Sequence, residues 1–450
     1  MKKIFQYIML AVVTIVMASC TSDIEETTAT TGKSNVQLVV GEFPAFGDSQ
    51  TRAIGTPDEG KTSWAEGDEL LLVIDNTSYG SHSATFTYNG KSWELTSGEL
   101  VYREGDPAYI PHVYYAPNYK WEAGKLVLKE GKDPGTDEYI EGNARITGNS
   151  ETITVSFAEA TRKYSRLRIA TLPNEQITVD TEYFTPAGSS DMEQKGNYTL
   201  TSDEKGNAYL YGTFENNSEV TVKYREAALT TYTFSQATES AKSYALDATV
   251  ISANSAEEIK SAIKQKVADG KTTIRLNLAP NAGTDEFMAI REAIKGAAPN
   301  DEGTIELTII GVETIPEEAF KRMSQLKSVK MPDVKEIKKY AFSECQYLTV
   351  VEAPSLNKLN CGAFNECYLL SKLTFGPINY ADARYWPIFE DITPNIDLIL
   401  SDYQKEMIET DDDLYTANND IDYAFSPEHV SKNFLGHEFK SITCSRYRVE

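Results

Sequence analysis

Residues 312–333 read VETIPEEAFKRMSQLKSVKMPD, residues 334–355 read VKEIKKYAFSECQYLTVVEAPS, and residues 356–377 read LNKLNCGAFNECYLLSKLTFGP. Across the stretch Thr304 to Pro377 the same side chains return without slippage. Ala319-Phe320, Ala341-Phe342 and Ala363-Phe364 stand 22 residues apart, as do Ile315, Ile337 and Leu359, then Leu326, Leu348 and Leu370, then Val329, Val351 and Leu373. A fixed period of this length means stacked coils. Val329 with Met331, Val351 with Ala353, and Leu373 with Phe375 alternate with polar neighbours, so each coil holds a short strand with one buried face. Pro332 and Pro354 follow those strands directly, where a residue without N–H ends a ladder and leaves no donor unpaired. One coil cannot bury its apolar side alone, so the coils must stack. The outward strand positions form a candidate binding face: Ser328, Val350 and Lys372 in one row, Lys330, Glu352 and Thr374 in the next. Their mixed signs and sizes define no ligand class.

The unit, spaced I..I...AF..C..L..V..P, resembles the BspA-type leucine-rich repeat of bacterial cell surfaces. The resemblance implies a right-handed α/β solenoid that presents a binding face rather than a reaction centre.

A chain of 450 residues has room for about three domains at ~150 residues each. Its 41% hydrophobic and 24% charged residues are those of a folded protein, so most of the chain is not disordered. The net charge is −24, and subtracting Lys2 and Lys3 with the first 19 residues makes it −26. Such a surface repels phosphate, which excludes nucleic acid as a partner class.

Lys2-Lys3, the apolar run Ile4 to Ala18, and Met17-Ala18-Ser19-Cys20 read as a targeting segment with a cleavage site. The run is too short and wrongly placed for a spanning helix. It resembles a lipoprotein signal, which makes Cys20 the acylated first residue of the mature chain; an ordinary secreted protein cut near the same point is the other reading. Asp23, Glu25 and Glu26 resemble the acidic export tag of Bacteroidota surface lipoproteins, and also suit a solvated tether. The other cysteines divide: Cys345 and Cys367 share a repeat position, about one strand spacing (~4.8 Å) apart, which suits either a disulfide or two buried thiols. Cys361 and Cys444 have no assignable partner.

Thr21 to Asn35 reads as a flexible tether, and Val36 to Val40 as the first strand. Up to about Val250 short alternating runs are broken by Gly, Pro, Asn and Asp: Leu70 to Ile74, Ser83 to Tyr88, Val113 to Tyr115, Lys125 to Leu128, Thr152 to Phe157, Leu167 to Ala170, Ala208 to Phe214, Val220 to Tyr224 and Tyr244 to Thr249. Strands at this spacing argue for sandwiches. Thr51-Arg52-Ala53, Thr62-Ser63-Trp64-Ala65-Glu66-Gly67-Asp68-Glu69-Leu70, the Tyr-rich Tyr109 to Tyr119, and Ser165-Arg166-Leu167-Arg168-Ile169 look like the landmarks of fimbrillin-like proteins. That resemblance implies two transthyretin-like sandwiches, split near Thr161. It also implies a protease site after Arg52, where loss of the preceding strand opens a groove for a neighbour's strand; an ordinary loop arginine is the alternative. Physically, Trp64 should cover the end of a sandwich while Gly67-Asp68 turns the chain into Leu70-Leu71-Leu72. Tyr109 to Tyr119 suits sugar stacking or plain sheet surface.

From Ser252 the period becomes helical. Ser255 with Glu258 makes a capping box, and Ile259, Ala262, Ile263 and Val267 share a face until Gly270. A strand Thr273 to Leu278, a second helix Asp285 to Lys295 ending at Gly296, and a strand Ile305 to Ile309 would cap the first coil. After Pro377 the repeat degrades: Trp386 and Ile392 keep the 22-residue spacing, while Ile396, Leu398 and Leu400 are slipped by one. A helix near Tyr403 to Ile408, the run Asp411-Asp412-Asp413 and the apolar piece Phe434 to Ile442 follow. The acidic run with Asn418, Asn419, Asp420 and Asp422 reads as a solvated loop or as oxygen ligands for calcium.

His82, His112, His429 and His437 are scattered outside any zinc or haem spacing, and no G-x-S-x-G elbow, P-loop or dinucleotide motif is present. No catalytic, metal or cofactor residues are assigned. The expected fold is mainly β, with this organisation: signal peptide 1–19, tether 20–35, transthyretin-like β-sandwiches 36–160 and 161–250, repeats with an N-terminal helical cap 251–400, and a C-terminal cap 401–450. The expected role is a non-enzymatic outer-membrane lipoprotein, lipid-anchored at the cell surface, that binds a protein or glycan ligand on host or neighbouring cells. The alternative is a fimbrial anchor or tip subunit joined to other fimbrial subunits by strand exchange. Location rests on Cys20, because acyl chains hold a protein to a bilayer by ~0.8 kcal/mol per buried CH₂. In fractionated cells Cys20→Ala should leave the membrane pellet; retention at the parental level would contradict the lipoprotein reading.

Overall fold

The computed structural model describes residues 37–48, 61–76, 80–98, 111–147, 152–157, 162–225, 227–253, 255–298, 300–382, 387–401, 433–435 and 437–444. The chain is mainly β, with two helices among the described residues.

The first sheet runs Gln37–Val40, Thr152–Ser156, Ile140–Thr147, Pro111–Tyr115, Glu69–Asn76, Gly80–Tyr88, Trp93–Gly98. Each strand sends alternate residues to one core, including Leu38, Ile153, Ile140, Val113, Leu72, Phe86 and Trp93. A sheet that shares one core among all its strands must curl around it. Trp64 closes the end as expected: its ring packs edge-on against Phe43 at 4.9 Å and Trp93 at 5.2 Å, and its indole N–H donates to the Gly41 carbonyl at 2.8 Å. Gly67 takes φ +93°, and Asp68 accepts from the Ala65 amide (2.7 Å), the Tyr115 hydroxyl (3.0 Å) and Lys61 (2.5 Å). Asp68 thus ties the turn to the core, a larger role than turning the chain.

The second sheet runs Ala227–Thr233, Glu219–Tyr224, Gln176–Pro186, Asn207–Phe214, Ser165–Ala170, Lys242–Asp247, Gly47–Asp48, with Glu193–Thr201 also paired to Gln176–Pro186. The stretch from Gln37 to Asp48 therefore crosses from the edge of the first sheet to the edge of the second. Arg162, fully buried between the sheets, donates to Glu138 and to the Pro44 carbonyl (2.7 Å), with its guanidinium 3.8 Å from the Phe46 ring centre. Arg166 lies over the same ring at 4.7 Å.

Ser255 caps the helix Ala256–Ala268 by accepting from the Glu258 amide at 3.4 Å, and Ile259 and Ile263 are buried. In the second helix, Thr284–Ala297, the Glu286 carboxylate reaches back to the Gly283 amide at 2.8 Å. This helix passes through Gly296, where an end was expected, because Ala298 beyond it is still buried and its amide still bonds Ile294.

The strands Ile251–Ser252, Thr273–Asn277 and Ile305–Ile310 are the start of one parallel sheet that continues through Leu326–Lys330, Val350–Ala353, Lys372–Phe375, Asp397–Leu400 and Ser441–Cys444. Val329 pairs with Val351 and Val351 with Leu373, in register with the 22-residue period. Ile315, Ile337 and Leu359 do more than fill the interior, since they lie in a second parallel sheet with Ala381. Between the sheets Phe320, Phe342, Phe364 and Phe389 stack, with centroids 5.2, 5.5 and 5.7 Å apart.

The last step of that stack corrects the sequence reading. Leu373 pairs with Leu398, 25 residues on, so the slip is three residues and not one. Phe389 continues the column, and Ile392 packs only partly against the core. Trp386 itself lies outside the described residues. Since Leu359 still pairs with Ala381 while the Phe364 amide bonds the Ile388 carbonyl, the extra residues enter between Ala381 and Ile388. A left-handed turn position keeps the same count: Arg322, Glu344, Glu366 and Asp391 all have φ between 53° and 62°. Phe434, Leu435, Phe439 and Ile442 join the core, and Ser441–Cys444 adds a strand instead of merely packing on the end.

Phe342 is fully buried with a ring on either side, so Phe342→Ala should cost ~3–5 kcal/mol. Lys330 makes one exposed ion pair with Glu352 at 3.4 Å, so Lys330→Ala should cost ~1 kcal/mol or less. Chemical denaturation distinguishes them; equal losses would contradict this assignment of faces.

Candidate binding face

Strand alternation separates the parallel sheet into two sides. Leu307, Val329, Val351, Leu373, Leu398 and Ile442 point into the core. Their neighbours form two outward rows. Ser328, Val350 and Lys372 stand in register and continue to Asp397 and Ser441; Lys330, Glu352 and Thr374 stand in register and continue to Ile399 and Thr443. The six residues expected from the repeat are thus brought together in the expected rows. Sequence reasoning missed the extension through Asp397, Ile399, Ser441 and Thr443, because the three-residue insertion hides their register.

Upstream, the row that holds Lys330 is closed. Arg275 and Thr308 are buried, and the Arg275 Nε donates to the Leu229 carbonyl of the second sheet at 2.6 Å. Ile310 joins the second sheet's own core. That row therefore opens only at Lys330, against the edge of the second sheet, while the Ser328 row runs on upstream through half-buried Glu306 and Thr273.

Polar side chains link successive coils across this surface. Lys327 pairs with Glu306 at 2.8 Å and Lys440 with Asp397 at 3.0 Å, while Ser441 donates to Asp397 at 2.5 Å. Those bonds from Ser441 and Lys440 hold the Asp397 carboxyl below its usual range. Thr349 and Ser371 each donate a hydroxyl to the carbonyl one coil earlier, at 2.8 and 3.0 Å. The result is a pre-ordered surface of alternating charge with apolar points at Val350 and Ile399, suited to recognition by shape.

Cys345, Cys361 and Cys367 are free thiols. Cys345 Sγ donates to the Phe320 carbonyl at 3.0 Å and Cys367 Sγ to the Phe342 carbonyl at 3.1 Å. Burial pushes both thiols up, Cys345 to about 12, so they are interior packing. His82 and His112 lie on strands of the first sheet, and His437 packs edge-on against Phe439 with its pKa lowered by burial. Among the described residues no three acidic, His or Cys side chains are placed to hold a metal ion. Cys20, Arg52, His429, the region Tyr403 to Ile408 and the acidic group Asp411 to Asp422 lie outside the described residues.

Residues 304–385 match the model of the BspA type leucine rich repeat region, which makes the coils around the open face leucine-rich repeats. No curated protein matches the chain. A crystal structure from Bacteroides fragilis, described as a "putative cell adhesion protein", matches with 10% identity and a TM-score of 0.27, over 48% of this chain and 93% of that one.

Proposed function

We propose that this chain is an outer-membrane lipoprotein, exposed at the cell surface, that displays its leucine-rich-repeat face for adhesion to host or neighbouring cells. The observation that carries the reading is the pair of outward rows, in register and open across the repeat coils, over a sealed interior. In this reading Cys20 holds the lipid, residues 20–35 are the tether, and two transthyretin-like β-sandwiches of fimbrillin type, 36–160 and 161–250, lift a right-handed solenoid, 251–400, off the membrane. Residues 401–450 complete the far cap. The ligand is a protein or glycan on another cell. The role is binding without catalysis, with no cofactor, metal or nucleic acid.

The rival, a fimbrial anchor or tip subunit working by strand exchange, is favoured by one feature. Among the described residues Gln37–Val40 lies at the end of its sheet, paired with Thr152–Ser156, so its loss would bare a row of backbone groups on that partner. Against it stands the anchoring of the next residues. Phe43 is buried against Trp64, Pro44 accepts from Arg162, and Phe46 lies under two guanidinium groups. Removing this segment would unmake the joint between both sheets, a heavy cost for a subunit meant to keep its shape.

The test uses the mature full chain applied to host epithelial cells and to bacteria lacking it. Val350→Arg with Thr374→Arg places bulk and charge on the outward rows and should weaken cell binding by about tenfold or more with thermal stability nearly unchanged. Undiminished binding by the folded variant would rule out this face.

A further inference from the structure

The first sheet has a second, unrelated concavity on the side away from its core. Ser97 pairs with Thr85, Thr85 with Leu71, and Leu71 with Tyr114, so the four stand in one row across the sheet. Their strand neighbours Leu70, Leu72, Ala84, Phe86 and Tyr115 belong to the core, which turns this row outward. At ~4.8 Å per strand the row is roughly 14 Å long.

Beside it stands the hairpin Tyr119–Glu122 and Lys125–Leu128, whose Tyr119, Trp121 and Leu126 wall a cavity of about 550 Å³ over the row. That volume lies within the ~300–1,000 Å³ span of small-molecule sites. The hairpin is fixed in place. Tyr119 donates to the Ala187 carbonyl at 3.1 Å and packs edge-on against Tyr139 at 5.4 Å. At its base, buried Asn118 donates to the Asp133 carbonyl at 3.1 Å and to Thr136 at 2.9 Å. Trp121, paired across the hairpin with Leu126, is therefore a preset wall.

The lining selects a chemistry. The cations are already matched, Lys129 with Glu69 at 3.8 Å and Lys120 with Glu122 at 2.9 Å, so no surplus positive charge awaits a phosphate or sulfate. Ser83, Thr85 and Ser97 bring hydroxyls to the same space, and an apolar ligand would cover them without hydrogen bonds. A pyranose ring meets both demands, since its C–H face packs on an aromatic ring while its hydroxyls both donate and accept. We propose that this groove binds a neutral saccharide, one ring stacked on Trp121 and the hydroxyls met by Ser83, Thr85 and Ser97. The groove shares no residue with the leucine-rich-repeat rows, so the protein carries two recognition surfaces, and this one stands whether or not the other binds cells.

Saturation-transfer NMR of the mature full chain with lactose, maltose, cellobiose and N,N′-diacetylchitobiose tests the assignment. At least one sugar should bind saturably at millimolar concentration. Trp121→Ala should weaken it about tenfold or more, Trp121→Tyr should retain it, and Thr85→Val, which swaps a hydroxyl for a methyl, should weaken it severalfold. Circular dichroism checks that each variant is folded. Failure of all four sugars to saturate, or equal binding by folded Trp121→Ala, overturns the proposal. So does loss confined to Val350→Arg with Thr374→Arg, which would put the sugar on the repeat face.

Discussion

The stack of Phe320, Phe342, Phe364 and Phe389 is the constraint on which the C-terminal half depends. Each ring fills one coil and forms floor or ceiling for the next, so a coil is complete only when its neighbour is in place. Stacking fixes register in two parallel sheets at once, and register decides which strand residues face out. The outward rows are therefore a by-product of interior packing: Ser328, Val350 and Lys372 align because Val329, Val351 and Leu373 do. The coil turns submit to the same constraint. Arg322, Glu344, Glu366 and Asp391 take left-handed φ without glycine, a cost of order 1–3 kcal/mol each that the packed coils must offset.

A different device joins the two antiparallel sheets. Burying Arg162 with Glu138 removes both charges from water, and such a pair persists only when further hydrogen bonds and packing compensate. Pro44 and Phe46 supply them, and both come from the short stretch that also lends an edge strand to each sheet. Desolvation raises the Glu138 pKa, opposed by the charge of Arg162. The first described residues are thus structural members of both sheets. The same joint positions Tyr139 and Ala187, which hold the Tyr119–Glu122 hairpin over its groove.

Much of this was legible in the sequence where side-chain identity alone carries the information. The repeat is the clearest case, because its interior positions must be apolar in every coil, and all six outward residues followed from it. The three-residue insertion was not legible: Trp386 and Ile392 happen to sit at the old spacing in the sequence, which hides the shift of the column to Phe389 and of the strand to Leu398. Glu193–Thr201 escaped notice because its first five residues, EQKGN, are polar and unburied, which leaves Tyr198 and Leu200 alone to mark a buried face. Gly47–Asp48 is too short to show a period, and its partner lies almost two hundred residues away at Lys242 and Ser243. Arg162, beside exposed Lys163, reads as surface; only three-dimensional closure reveals that it is buried. The aromatic signal of Tyr109 to Tyr119 pointed near the groove, yet its main ring, Trp121, stands on a hairpin of which only the second strand was recognised.

Display and assembly make opposite demands on the stretch from Gln37 to Asp48: display keeps it, assembly by strand exchange discards it. Mass spectrometry of protein shaved from intact cells answers this directly. The account predicts a mature chain that begins at Cys20 and contains peptides running uncut through Thr51-Arg52-Ala53, with the same assembly state in Arg52→Ala. A mature N-terminus at Ala53, together with higher-order ladders that vanish in Arg52→Ala, would contradict it.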